Sequence, residues 1–157
     1  MAGGSPRHNA LCSSLIAALH MAHRNTDGRV FSSDQRIALG QGERYVYPDV
    51  TVVCGTLQIE GTSNDVIANP TVLVEVLSGS TEPYDRGLKW EGYQRIPSLA
   101  DDVLVSQGEP RIEHYRRGSN GTWVYRAAGP GDRITLTDGA ALDVDVIFQG
   151  VFDIPGD

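Results

Sequence analysis

Thr71-Val72-Leu73-Val74-Glu75-Val76-Leu77, opened by Pro70, is apolar on both of its alternating faces except at Glu75. A strand covered on both sides by other elements reads this way, because neither face meets water. The segment therefore predicts a sheet interior with helices packed against it. A carboxylate in the middle of such a strand costs free energy unless it is paired or bound to a cation. Glu75 is thus either half of a buried ion pair with an arginine or lysine, or a metal ligand.

Upstream, Tyr45-Val46-Tyr47-Pro48-Asp49-Val50-Thr51-Val52-Val53-Cys54 is a second β-branched and aromatic run, interrupted by Pro48. Proline cannot donate to a central ladder, so Pro48 marks a strand start, an edge or a bulge. Residues Gly55 to Asn69 read as a polar loop without a clear period. Nearer the start, Ser5 and Pro6 supply an N-cap and first helical residue. Leu11, Leu15 and Leu19 then recur every four residues, predicting a helix to about His23 or Arg24. Asp27-Gly28 ends that helix as a turn, and short strands are expected near Arg29–Phe31 and Gln35–Leu39, before a loop at Gly40–Gly42.

Downstream, Asp85 to Ile96 reads as a second helix that Pro97 stops. Lys89 and Tyr93 lie one turn apart on a shared face of it. The C-terminal half is β-rich: Val103–Ser106, Arg111–Arg116, an Asn120-Gly121 hairpin turn into Thr122–Arg126, and Arg133–Thr137, before a short apolar tail at Val144–Val151. The coarse order is αβββαβββ. The fold class is α/β (α+β), a mixed sheet flanked by helices, within one domain over residues 1–157.

Composition sets the bounds. Hydrophobic residues make up 40% and charged residues 21%, as in an ordinary globular domain. No apolar run is long enough to span a membrane, and the first ten residues carry no secretion signal pattern. Cys12 and Cys54 sit far apart without metal-ligand spacing and read as buried, reduced thiols of a cytoplasmic protein. A net charge of −7 argues against a strong, salt-driven nucleic-acid binder. Any contact to nucleic acid should use a compact local basic site.

Asp49 alone could simply bond nearby backbone amides, as aspartates after proline often do. Two carboxylates on adjacent strands are more telling. They repel, and each raises the pKa of the other, unless a cation sits between them. Mg²⁺ suits that position, being held by one or two carboxylates with water and substrate phosphate. Lys89 alone reads as a solvated lysine on a helix face.

Tyr47-Pro48-Asp49-Val50, Val74-Glu75-Val76-Leu77-Ser78, and Tyr84-Asp85-Arg86-Gly87 with Lys89 and Tyr93 together resemble the bacterial Uma-type restriction endonuclease family. The resemblance continues through Ile96-Pro97-Ser98-Leu99, Val103-Leu104-Val105-Ser106-Gln107 and Glu109-Pro110-Arg111, and so covers nearly the whole chain. That family belongs to the PD-(D/E)xK nuclease superfamily. The resemblance implies a restriction-endonuclease-like fold and a metal-dependent endonuclease of phosphodiester bonds in DNA, with Mg²⁺ (or Mn²⁺) as cofactor. It implies Asp49 and Glu75 as metal ligands, the Val76 carbonyl as a third, and Lys89 as the residue that orients or deprotonates the attacking water. The usual superfamily lysine lies two positions after the glutamate, where this chain has Leu77; its role is implied to have moved to Lys89. Tyr93 is a candidate to support Lys89, and His8 and Arg86 are candidates for phosphate contacts. Arg95 is another, and surface arginines are the alternative for both. Dimers are common among nucleases of this fold, so a homodimer is a further implication.

Two departures carry expectations of their own. The family has Ser-Pro-Ser-Thr after the glutamate strand where this chain has Ser78-Gly79-Ser80-Thr81, and glycine should loosen the turn that aims Lys89. Family members also carry a helix and hairpin before the segment matching Ser5–Asn9, so the chain reads as shortened at its N-terminus.

The other histidines point less clearly to chemistry. His20 and His23, three apart, could share a metal, but no Cys or acidic residue lies at suitable local spacing and surface or half-buried histidines are preferred. His114 alternates along a strand and reads as structural. Two rival functions stand beside the nuclease. One is a nuclease-fold module that no longer cuts and serves in nucleic-acid binding or protein association; the other is a metal hydrolase of another substrate.

Overall fold

The computed structural model describes residues 4–62, 64–79 and 82–156. Its scaffold is a six-stranded mixed sheet of order β1-β4-β6-β7-β8-β9. These strands are β1 (Arg29–Phe31), β4 (Val50–Val53), β6 (Val72–Val76), β7 (Asp101–Val105), β8 (Ile112–Arg117) and β9 (Trp123–Ala128). Only β6 and β7 pair in parallel; the other neighbours are antiparallel. The opening strand is interior, as its apolar faces require, and all five β6 residues are buried.

Each face of the sheet has its own cover. Helix α1 (Pro6–Ala22) starts where Ser5 Oγ accepts the His8 N–H at 3.2 Å and Pro6 takes the first helical position. Its Leu11, Leu15 and Leu19 are fully buried against Val50, Val52, Val72, Val74 and Val103. Burying one such side chain is worth about 1.5–3 kcal/mol. On the opposite face, Leu73 packs with Tyr93 from the second helical segment, with Ile96 and Leu99 just after it, and with Ile37 and Leu39. Those last two belong to β2 (Arg36–Leu39), in a small sheet of order β3-β2-β5 with β3 (Arg44–Val46) and β5 (Val66–Ile67).

Several boundaries differ from the sequence expectation. Pro48 separates two strands in two different sheets: β3 ends at Val46 and β4 begins at Val50. The polar stretch before Asn69 contains β5, too short at two residues to show a period, which pairs in parallel with β2. The strand expected from Val103 starts at Asp101, because Asp101 and Asp102 are buried in the ladder. The region expected at Arg133–Thr137 is a hairpin of β10 (Arg133–Thr135) and β11 (Ala141–Asp143), and the apolar tail opens with the helical turn α4 (Val144–Ile147). The coarse order αβββαβββ thus undercounts strands on both sides of the second helical segment. Asn120 and Gly121 adopt positive φ, as their hairpin position demands.

The second helical segment begins earlier and is less regular than a plain helix over Asp85–Ile96. It runs as α2 (Glu82–Tyr84), a π-helical turn (Asp85–Lys89) and α3 (Trp90–Gln94), with Pro97 beyond its end. Gly79 has open space around its Cα, whereas Ser80 and Thr81 of the expected loosened turn lie outside the described residues. Among the described residues, no helix is long and apolar enough to cross a membrane.

Candidate active site

The antiparallel pairing Val50↔Val74 fixes the site, because one further step along each strand sets Asp49 beside Glu75. Asp49 Oδ2 accepts the Val76 N–H at 2.7 Å, which anchors the aspartate across the strand end. Its other oxygen, Oδ1, lies 3.2 Å from His8 Nε2 on α1. Cys12, one turn along α1, has its Sγ 3.7 Å from His8 Nδ1. The N-terminus of α1 is tied down nearby: Ser5 Oγ donates to Gln107 Oε1 at 3.0 Å, and Gln107 Nε2 donates to the Leu77 carbonyl at 2.8 Å.

Glu75 is 3% exposed. Its Oε1 accepts from Tyr93 Oη at 2.5 Å and from Lys89 Nζ at 3.1 Å. Lys89 Nζ also lies 3.1 Å from Asp85 Oδ1. The π turn carries Asp85 and Lys89, and α3 carries Tyr93, so one short helical segment delivers all three to the strand. Such π turns are rare and concentrate at functional sites. Lys89 is consequently an ion-pair partner and not a solvated helix-face lysine.

Burial pushes the Glu75 carboxyl up to about 7; Lys89 pulls it back, and Asp85 and Asp49 push it further up. Burial alone would lower the Lys89 ammonium, but Glu75 and Asp85 outweigh it and hold the group above the usual lysine range. Asp102 on β7 is 1% exposed and its Oδ1 has no hydrogen-bond partner. Burial, then Glu75 and Asp85, raise its carboxyl well above the usual range. The His8 imidazole is raised to about 10, chiefly by its hydrogen bond to Asp49.

The remaining expected residues are placed as follows. Arg86 does not stand free for phosphate: Nη2 lies 2.5 Å from Glu113 Oε2 and Nε lies 2.7 Å from Glu82 Oε1. Arg95 is exposed. His114 Nε2 is bonded to Asp101 Oδ1 at 2.7 Å inside the sheet, the structural role read from its strand position. His20 is exposed, whereas His23 is buried next to Cys54 and Asp138. The absence of ligand spacing around His23 and the cysteines therefore holds only locally; the fold supplies the neighbours. Both cysteines are free and half-buried rather than fully buried. Reasoning from the sequence missed Asp102, whose signal was a second acidic residue next to an apolar strand.

The donor set at Asp49 and Glu75 consists of hard oxygens, and the buried carboxylates Glu75, Asp85 and Asp102 outnumber the single lysine among them. Such a set suits a small divalent cation. A groove of about 310 Å³ starts at Leu77, two residues beyond Glu75, with Arg86, Gln107, Arg111 and Glu113 among its walls; Asp49, Glu75 and Lys89 do not line it.

Comparison with known proteins agrees with this architecture. The Uma2 family, described as "putative restriction endonuclease", matches residues 1–146. An uncharacterised protein of Synechocystis sp. is 35% identical over 153 residues, covering 96% of this chain and 79% of the relative. A second from the same organism is 32% identical over 124 residues, covering 79% and 70%. The crystal structure of a "putative nuclease belonging to DUF820" from Anabaena variabilis aligns with a TM-score of 0.72 at 17% identity, covering 96% of this chain and 84% of that one. At that identity the likeness bears on the fold, which is the same mixed sheet with few helices.

Proposed function

Because the chain belongs to the Uma2 family of restriction-endonuclease-like proteins, we propose that it is a Mg²⁺- or Mn²⁺-dependent endonuclease of DNA with Asp49, Glu75 and Lys89 at its centre. The observation that carries the reading is Glu75. It is a buried carboxylate one strand from Asp49, held by a lysine whose charge only partly offsets the acids around it.

The oxygens of Asp49 and Glu75 would hold the cation, with the Val76 carbonyl as a third donor. The cation supplies two things when bound: a lower pKa for an attacking water and polarisation of the scissile phosphate. Lys89 orients that water and offsets negative charge growing on the phosphate. Tyr93 donates to the same Glu75 Oε1 that Lys89 holds, so the carboxylate keeps a partner when the lysine turns toward substrate. His8 holds Asp49 Oδ1 from the α1 side. The groove beside Leu77 and Arg111 is where a phosphodiester backbone would approach. The net charge of −7 fits a footprint that small.

The test is nicking of supercoiled plasmid by the purified chain with Mg²⁺ or Mn²⁺, beside Asp49→Ala and Glu75→Ala. Nicking by the parent chain alone is expected. Nicking that persists in both variants, or none in any buffer, rules the site out. Calorimetric metal titration separates a binding-only module, which retains no catalytic role for Glu75 and should bind equally after Glu75→Ala.

A further inference from the structure

A second set of metal-capable side chains lies at the far end of the same sheet. Ligand atoms of His23, Cys54 and Asp138 all fall within 4.8 Å of one another. They come from three separate places: the C-cap of α1, the end of β4, and the β10–β11 turn. Cys54 lies five residues along β4 from Asp49, about 16 Å at the usual strand rise of about 3.3 Å per residue. This set is therefore distinct from the site built on Glu75.

The hydrogen bonds around it fix which atoms face inward. Thr26 Oγ1 gives its only proton to the His23 carbonyl at 3.1 Å and accepts the Gly28 N–H at 3.0 Å. His23 Nδ1, 3.0 Å away, can therefore donate to it whenever Nε2 is the nitrogen that binds a cation. That leaves Nε2 pointing inward, 2.7 Å from Asp138 Oδ2. The other carboxylate oxygen, Oδ1, is held by the Ala140 N–H at 2.9 Å. Cys54 is steadied through its backbone, whose N–H donates to Thr71 Oγ1 at 2.9 Å. A side chain at position 28 would overlap the imidazole, so Gly28 keeps the ring seated. The side chains of His23 and Asp138 are 5% and 3% exposed.

A metal-ligating histidine characteristically donates its other ring N–H to a fixed acceptor, and ligating carboxylates are themselves hydrogen-bonded. Thr26 Oγ1 stands ready as that acceptor, and the Ala140 N–H holds Asp138. A plain imidazolium–carboxylate pair would account for His23 and Asp138, but gives no reason for a thiol beside them. Nitrogen, sulfur and oxygen donors together disfavour Mg²⁺ and suit a borderline divalent cation bound tetrahedrally with water in the fourth position.

We propose that His23, Cys54 and Asp138 form a binding site for a divalent cation of the zinc class, which clips the β10–β11 hairpin to α1 and β4. The proposal does not depend on the nuclease reading. Titration of the full chain with Co²⁺ tests it: a thiolate-to-cobalt charge-transfer band is expected in the ultraviolet, with visible bands of tetrahedral intensity, displaced by Zn²⁺. Cys54→Ser should abolish the charge-transfer band, and Asp138→Asn should weaken Zn²⁺ binding by at least the roughly tenfold that losing a mere outer partner of a metal ligand costs. Cys12→Ser and Glu75→Ala should leave the band unchanged, which separates this site from the one at Asp49. Thermal unfolding supplies a second readout, Zn²⁺ raising the Tm of the parent chain but not of Cys54→Ser. No thiolate band in the parent chain, or a band that survives Cys54→Ser, overturns the proposal.

Discussion

Replacing Glu75 by glutamine removes the buried charge while keeping a side-chain oxygen for the Tyr93 hydroxyl, and Lys89 keeps Asp85 at 3.1 Å. The native Glu75 carboxyl is raised, first by burial and then by Asp85 and Asp49, from its ordinary value of 4.5 to about 7. Between those two values the folded chain holds a proton that the unfolded chain has released. Stability then falls as pH rises through that window. Below about 4.5 both states are protonated and the cost vanishes; above about 7 both are ionised and it stays constant. A displacement of roughly 2.5 pH units at about 1.36 kcal/mol each gives about 3 kcal/mol.

The quantity to measure is the difference in unfolding free energy between the parent chain and Glu75→Gln, from urea denaturation at a series of pH values. Groups that Glu75 does not influence titrate equally in both chains and cancel. The parent should lose about 3 kcal/mol relative to the variant between about pH 4.5 and pH 8, with the slope gone outside that range. Asp102, raised by burial and by Glu75, contributes to the difference with the same sign. Saturating Mg²⁺ or Mn²⁺ should flatten the parent curve, because a cation favours the ionised carboxylate, and should leave the variant unchanged. Parallel curves, or a parent that gains on the variant as pH rises, would refute the claim that Glu75 is a strained buried acid.

Three further outcomes test its neighbours. Lys89→Met strands Glu75 and Asp85 without their cation, so it should abolish nicking and destabilise by about 3 kcal/mol at alkaline pH but less in acid, read by urea denaturation. Tyr93→Phe removes a buried donor and should cost about 1–3 kcal/mol in thermal or urea unfolding, with metal binding by calorimetry weakened far less than in Glu75→Ala. His8 owes its raised imidazole chiefly to Asp49, so NMR should find it protonated through neutrality and titrating near pH 10; in Asp49→Asn the titration should fall back toward 6.5.

What could be read along the chain was whatever local chemistry marks. The leucine period gave α1, Pro48 divided the strand run before Asp49, and an acid inside an otherwise apolar strand singled out Glu75. Position-specific pairing is different, because register depends on partners far away in sequence. Asp101 and Asp102 look like a turn until β6 and β8 pair on either side of them. There His114 takes up Asp101, while Asp102 faces the site. The π turn leaves no periodic trace over so few residues. The set at His23 needs a hairpin more than a hundred residues downstream to fold back onto α1, and no spacing rule spans that distance.

The same geometry explains why a lysine can serve from position 89 when position 77 holds leucine. Leu77 stands at the end of β6, its N–H bonded to the Val105 carbonyl and its own carbonyl taken by Gln107, and it is 5% exposed. A lysine there would start on the strand itself, next to Glu75 but with its stem along the groove wall. A lysine on the helix arrives from across the face, and can reach Glu75 and Asp85 from a single nitrogen position. One cation thereby offsets two buried carboxylates. The π turn is the backbone adjustment that carries Asp85 and Lys89 there together, and shifting the charge from strand to helix leaves the strand end to Asp49, whose Oδ2 already occupies the Val76 N–H. The helix is therefore as much a part of the site as the strand that marked it.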